Sequence, residues 1–158
     1  MLKPLLYYYH IIQQLSLRMF KKIRIAVQLI ILSNNHVLLI KHSYTNKYYF
    51  PGGGVKKKES LSDALKREIL EELGVKINQP QLYRITEYYQ NSRQDYIFLF
   101  KTTELSQKSK IEIDKFEITN YRWFSLSNIN KHKSILSPAT YRLLTKYKPK
   151  SKIKIQQW

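Results

Sequence analysis

The chain contains no cysteine, so disulfide staples, thiolate zinc sites and cysteine nucleophiles are excluded. No apolar run reaches the ~20 residues of a membrane-spanning helix. The opening stretch MLKPLLYYYHIIQQLSLRMF is apolar and aromatic but lacks the small-residue cleavage site of a secretory signal. Acidic residues are scarce, 11 against 28 lysines and arginines, giving a formal net charge of +17. That balance favours phosphate-bearing partners, nucleotides or nucleic acid, through long-range attraction. The lysines are scattered and form no single stripe of the kind a nucleic-acid footprint requires. Lys, Ile, Asn and Tyr, the residues of A/T-rich codons, are frequent throughout, and this compositional habit accounts for much of the charge.

At 158 residues the chain suits one domain with a sizeable core, here expected in the cytoplasm. Residues 1–20 read as an N-terminal extension, either an amphipathic helix or a stretch ahead of a true start at Met19. Residues 21–147 read as the domain and 148–158 as a loose basic tail. Ile23 to Leu32 is rich in β-branched residues, Asn34-Asn35 offers a turn, and His36 to Lys41 makes a second strand. Gln81 to Gln90, Asp95 to Thr102 and Asn120 to Phe124 are strand-like, and Ser125 to Asn130 suggests a short helix. Ser137-Pro138 opens a last helix, with proline at its first position.

The most informative stretch is GGVKKKESLSDALKREILEELGV, Gly53 to Val75. Ser60 followed by Asp63 reads as a capping box, and Gly74 sits where a left-handed residue stops a helix. At about 100° per residue, Leu61, Ala64, Leu65, Ile69 and Leu73 share one apolar face. Glu68 and Glu72 point into the middle of that face, with Glu71 at its margin. Buried carboxylates are costly unless paired or bound to metal, and crowding raises their pKa values. A hard divalent cation such as Mg²⁺ would relieve the repulsion.

Gly53, Glu59 and Arg67-Glu68-Ile69-Leu70-Glu71-Glu72-Leu73-Gly74-Val75, at these spacings, resemble the Nudix box with every fixed position filled. The resemblance implies an α/β fold, a Nudix-like α/β/α sandwich with a mixed β-sheet between helices. It implies Mg²⁺-dependent hydrolysis, with Mn²⁺ as a substitute, of a diphosphate bond in a nucleoside diphosphate linked to another moiety. By the family pattern Glu68 and Glu72 are metal ligands, Glu71 is a further ligand or the water-activating base, and the Gly53 carbonyl adds an oxygen. Glu59 and Arg67 pair with each other and fix the loop against the helix.

Other family members place the base on a later loop, which makes Glu117 a second candidate, ahead of Glu112 and Asp114. Tyr48 stands where tryptophan is frequent, Lys56 where an acid is common, and Lys58 where glycine is usual. The Lys56-Lys57-Lys58 run would draw phosphates toward the site. Tyr44, Arg93, His42 and the Tyr88-Tyr89 pair are candidates for the wall of a nucleotide pocket, with rings stacking on a base. His10, His36 and His132 have no ligand-like spacing. Two other functions stay open: an RNA-end pyrophosphohydrolase, and a noncatalytic module binding nucleotides or RNA. The intact box acids argue against the latter. A homodimer is also left open.

Overall fold

Asn34 and Asn35 both adopt positive φ, 47° and 58°, a region asparagine tolerates better than most residues and one that suits a tight hairpin. They join β1 (Ile23–Ser33) to β2 (His36–His42), which pair antiparallel with Leu32 opposite Val37. The computed structural model describes Tyr8, Ile11 and residues 23–90, 93–105, 108–147 and 154–157. Apart from Tyr8 and Ile11, the N-terminal extension lies outside the described residues.

After β3 (Tyr48–Tyr49) the chain passes into helix α1 (Leu61–Leu73), then β4 (Gln81–Gln90) and β5 (Arg93–Thr102). β6 (Ile118–Ser125) leads into a 3-10 turn (Leu126–His132), helix α2 (Pro138–Thr145) and β7 (Lys154–Gln157). The sheet runs β3-β2-β1-β5-β4-β7, with β6 also on β2. β1 lies parallel to β5, Val27 beside Phe98, while β4 and β5 form an antiparallel hairpin. The sheet is therefore mixed.

β1 reads as a nearly unbroken apolar run because both of its faces are covered. Val27, Leu29 and Ile31 pack with Leu38 and Ile40 against Ala64, Leu65, Ile69 and Leu73 of α1. On the opposite face Ile30, Val37, Leu39, Leu99 and Phe124 pack against Ile129, Leu143 and Leu144. Each fully buried aliphatic side chain of this kind stabilises the fold by about 1.5–3 kcal/mol. The result is an α/β/α sandwich, as the sequence suggests.

Of the tail read at 148–158, residues 148–153 and 158 lie outside the described residues, and 154–157 form a short strand. Lys154–Gln157 pairs in parallel with Arg84–Glu87. The outer edge of β4 otherwise presents unpaired backbone groups, which a short extended segment can satisfy. Among the described residues no helix is long and apolar enough to cross a membrane.

One further feature places the site. Residues 51–55 run antiparallel along β1: Leu29 N–H donates to Pro51 O (2.9 Å), Val27 N–H to Gly53 O (2.9 Å), and Val55 N–H to Ile25 O (3.0 Å). Gly52 is needed for this approach. Its φ is +131°, and a Cβ there would stand 2.2 Å from Val27 O. The glycine loop is thereby pinned between β1 and α1.

Candidate active site

Helix α1 is bounded as its sequence dictates. Ser60 is the N-cap, its hydroxyl accepting from Asp63 N–H at 3.1 Å, and Gly74 closes the helix at φ 66° with its N–H on Leu70 O. Lys58, where glycine is usual, takes φ 64°. That left-handed turn brings Glu59 back toward the helix, and Lys56 N–H donates to Glu59 Oε2 at 2.9 Å.

Arg67 organises the carboxylates. Its Nε and Nη2 donate to Glu59 Oε1 and Oε2 at 2.7 and 2.9 Å, a two-point pairing. Nη2 also donates to Gly54 O at 3.1 Å, tying helix to glycine loop. Nη1 donates to Glu68 Oε1 at 2.7 Å and to Glu71 Oε2 at 3.0 Å. The sequence reading paired Arg67 with Glu59 alone. The guanidinium also fixes two of the box acids: Glu71, its i,i+4 neighbour one turn on, and Glu68, whose carboxylate reaches the same nitrogen. The Arg67 hydrogen bonds hold the Glu59 carboxyl down at about 2.

Three of the other acids sit where their charge is disfavoured. Glu72 is only 3% exposed and accepts from Gly52 N–H at 2.7 Å. Burial pushes its pKa well above the usual carboxylate range; Gly52 N–H opposes this, and Glu117, Glu68 and Glu71 add to it. Burial likewise raises Glu68 against the pull of Arg67. Glu117, about half exposed, is raised by partial burial and by Glu68, Asp114 and Glu71. Glu71 is exposed, with Lys56 Nζ 4.0 Å away, a surface pair of small energetic weight.

Gly53 faces Glu68: a Cβ at 53 would lie 2.6 Å from the Glu68 carboxyl carbon. The Gly53 carbonyl already accepts from Val27 N–H, and a second lone pair remains for another partner. Hard oxygen donors crowded together, with burial disfavouring their charge, fit a divalent cation.

Glu117 comes to the site from the turn before β6, where its N–H bonds Asp114 O and its carbonyl accepts from Ser43 N–H at 2.8 Å. Asp114 shapes this turn, its side chain accepting from Phe116 N–H at 2.9 Å. Glu112 lies instead beside Gly74 at the far end of α1, paired with Lys110. His42 is buried at the end of β2, its Nδ1 3.9 Å from Glu117 Oε1, and Tyr44 stacks on its ring at 5.0 Å and 15°. Donor atoms of His42, Glu72 and Glu117 all lie within 4.8 Å of one another. Positions 42, 72 and 117 are too far apart in sequence for spacing to reveal this meeting. The one local signal was a histidine at the end of a strand that leads to the glycine loop.

Of the other candidates, Tyr44 is half-buried, and burial together with Glu117 and Glu72 raises its pKa. Tyr48 is buried edge-on against Phe124. Tyr89 belongs to a cluster on the β4–β5 hairpin, donating to Glu87 Oε1 at 2.7 Å. Arg93 pairs with Gln90 where that hairpin turns; its side chain lies outside the described residues.

A profile of the NUDIX domain matches residues 22–145. The chain is 32% identical over 100 residues to the 8-oxo-dGTP diphosphatase of Buchnera aphidicola subsp. Acyrthosiphon pisum (strain APS), covering 63% of this chain and 77% of that one. It is 31% identical over 99 residues to diphosphoinositol polyphosphate phosphohydrolase 2 of Rattus norvegicus, covering 61% and 54%. Among solved structures, the MutT NUDIX hydrolase from Burkholderia pseudomallei superposes with a TM-score of 0.69 at 21% identity, covering 80% and 99%. The chain belongs to the NUDIX family and is a hydrolase of that class.

Proposed function

We propose that the protein hydrolyses a diphosphate bond in a nucleoside diphosphate derivative, with Mg²⁺ as its ordinary cation and Mn²⁺ as a substitute. The observation that carries this reading is the gathering of Glu68, Glu71 and Glu72 against the glycine loop, with Arg67 bridging helix and loop. The names of the two relatives support it from either side. One is a nucleotide diphosphatase and the other cleaves a diphosphorylated inositol polyphosphate, and both reactions break a phosphoanhydride.

In this reading Glu68, Glu72 and the Gly53 carbonyl hold the cation, and a carboxylate oxygen of Glu117 lies within 4.8 Å of one on Glu72. The cation, when bound, supplies charge neutralisation at the phosphate oxygens. Glu71 is the exposed carboxylate of the helix, steadied by Arg67 at 3.0 Å, and accepts the proton of the attacking water. The water oxygen bonds to phosphorus, the bridging P–O bond breaks, and its electrons leave with the departing phosphate. Positioning and electrostatics do most of the work in such a transfer. Lys56 guides incoming phosphates, while Tyr44 and Arg93 are the proposed contacts for the rest of the substrate.

The test is a panel of nucleotide substrates with Mg²⁺ in ¹⁸O-labelled water, reading which phosphorus gains the label. Glu71→Gln should lower kcat by about 10²–10⁴-fold, the usual range for loss of a general base. A Glu71→Gln protein of parental kcat would move the base elsewhere, with Glu117→Gln the next variant to assay.

A further inference from the structure

We propose that His42 supplies a nitrogen ligand to a cation seat completed by the carboxylates of Glu72 and Glu117, which binds the substitute Mn²⁺ and similar transition metals more tightly than an all-oxygen seat would. The proposal rests on the reading that the carboxylate cluster holds divalent cations, and it adds a donor that the helix does not provide.

The three residues arrive from three different elements: the end of β2, the last turn of α1 and the turn before β6. Their donor atoms lie within 4.8 Å of one another. Donors around one six-coordinate ion with bonds of ~2.0–2.2 Å stand about 3–4 Å apart. Small side-chain rotations therefore close the set. His42 Nδ1 is already 3.9 Å from Glu117 Oε1.

The imidazole is held for this purpose. His42 is 8% exposed, and Tyr44 lies nearly parallel to its ring, with the centroids 5.0 Å apart. The β2–β6 register shifts between Lys41 and His42, an irregularity of the kind that re-aims a side chain at the end of a strand. Beyond it, Ser43 N–H donates to Glu117 O at 2.8 Å, tying the backbone of two ligand-bearing segments together. A surface histidine that met an acid by chance would have none of this support.

The chemistry then sets the selectivity. Mg²⁺ prefers oxygen donors throughout and gives up water reluctantly. Imidazole suits later divalent metals, whose affinity for nitrogen rises along the series. Replacing one water or carboxylate oxygen with His42 Nδ1 favours Mn²⁺, and Co²⁺ or Zn²⁺ more strongly.

The experiment is pulsed electron paramagnetic resonance of the full chain loaded with Mn²⁺, looking for modulation from a directly bonded ¹⁴N. ¹⁵N-histidine labelling identifies the source without any substitution. The expected result is a nitrogen signal that follows the histidine label and vanishes in His42→Gln. In that variant Mn²⁺ affinity falls about tenfold or more, while Mg²⁺ affinity stays within about twofold. His36→Gln serves as control, since His36 bonds Asn34 O at the hairpin turn. Mn²⁺ that binds without nitrogen modulation in the parent protein overturns the proposal and leaves the hydrolase reading standing. A nitrogen signal surviving in His42→Gln also overturns it. Failure of Mn²⁺ to bind at all overturns both.

Discussion

Single residues in this site are legible to different degrees because their roles depend on partners at different distances along the chain. Glu59 and Arg67 are eight positions apart, near enough for the loop-and-helix pairing to be expected from sequence. His42, Glu72 and Glu117 converge only once β2, α1 and β6 are in place, so no spacing rule foresees their meeting. The Glu59 pair gives a prediction whose sign is fixed. Its folded-state pKa, about 2, lies below the ~4.3 of an unfolded glutamate. The stabilisation is therefore fully present above the unfolded value and is lost as pH falls through about 2. Glu59→Gln should melt below the parent protein at neutral pH, and the gap in Tm should close on acidification toward pH 2. A gap that stays constant or widens on acidification contradicts the role given to this pair.

At the scale of elements, helix α1 was the most legible because its start, its stop and its buried face all follow local rules. Ser60 caps it and Gly74 ends it, and the apolar residues at helical spacing are those that pack on β1 and β2. Ser60→Ala should cost about 0.5–2 kcal/mol in chemical denaturation. Because α1 carries the box acids, the same change should also weaken cation binding. A stability loss with cation affinity untouched would separate the cap from the site. β7 was the least legible element. Lys154–Gln157 has no alternation strong enough to mark a strand, and its pairing depends on the edge that β4 leaves open. β6 lay between these extremes: its sequence reads as extended, but nothing local shows that it pairs along β2 from His36 to His42 and so carries Glu117 to the site.

For the whole molecule the dominant property is a formal charge of +17. Part of it borders the site: Lys56, Lys57 and Lys58 are exposed in the loop that leads into α1. Exposed charges act over about 8 Å at physiological salt, so the proposed steering predicts an effect on capture and none on the chemical step. Raising salt should lower kcat/KM for a phosphate substrate while kcat stays nearly constant. Replacing the three lysines with serine should reduce both the low-salt rate and its salt dependence. Salt-insensitive kcat/KM in the parent protein rejects steering by these residues. Tight RNA binding with a steep logarithmic loss of affinity in salt, combined with weak mononucleotide turnover, would favour the RNA-end reading.

The central claim is that the carboxylates of α1, with Glu72 the buried one, hold a divalent cation for phosphoanhydride hydrolysis. Glu72 is the most exacting place to test it, being the deepest of the acids and fixed by Gly52 N–H. The measurement is the initial rate of phosphate or pyrophosphate release across the nucleotide panel, with Mg²⁺ and with chelator, for the parent protein and Glu72→Gln. Circular dichroism of both proteins checks the fold. Glutamine keeps the shape and removes the charge. Cation affinity should fall by at least the ~10–100-fold that follows when a metal ligand merely loses its hydrogen-bond partner, and turnover should drop to the level seen with chelator. A folded Glu72→Gln protein that still hydrolyses at the parental rate, or a parent protein indifferent to chelator, would contradict the account.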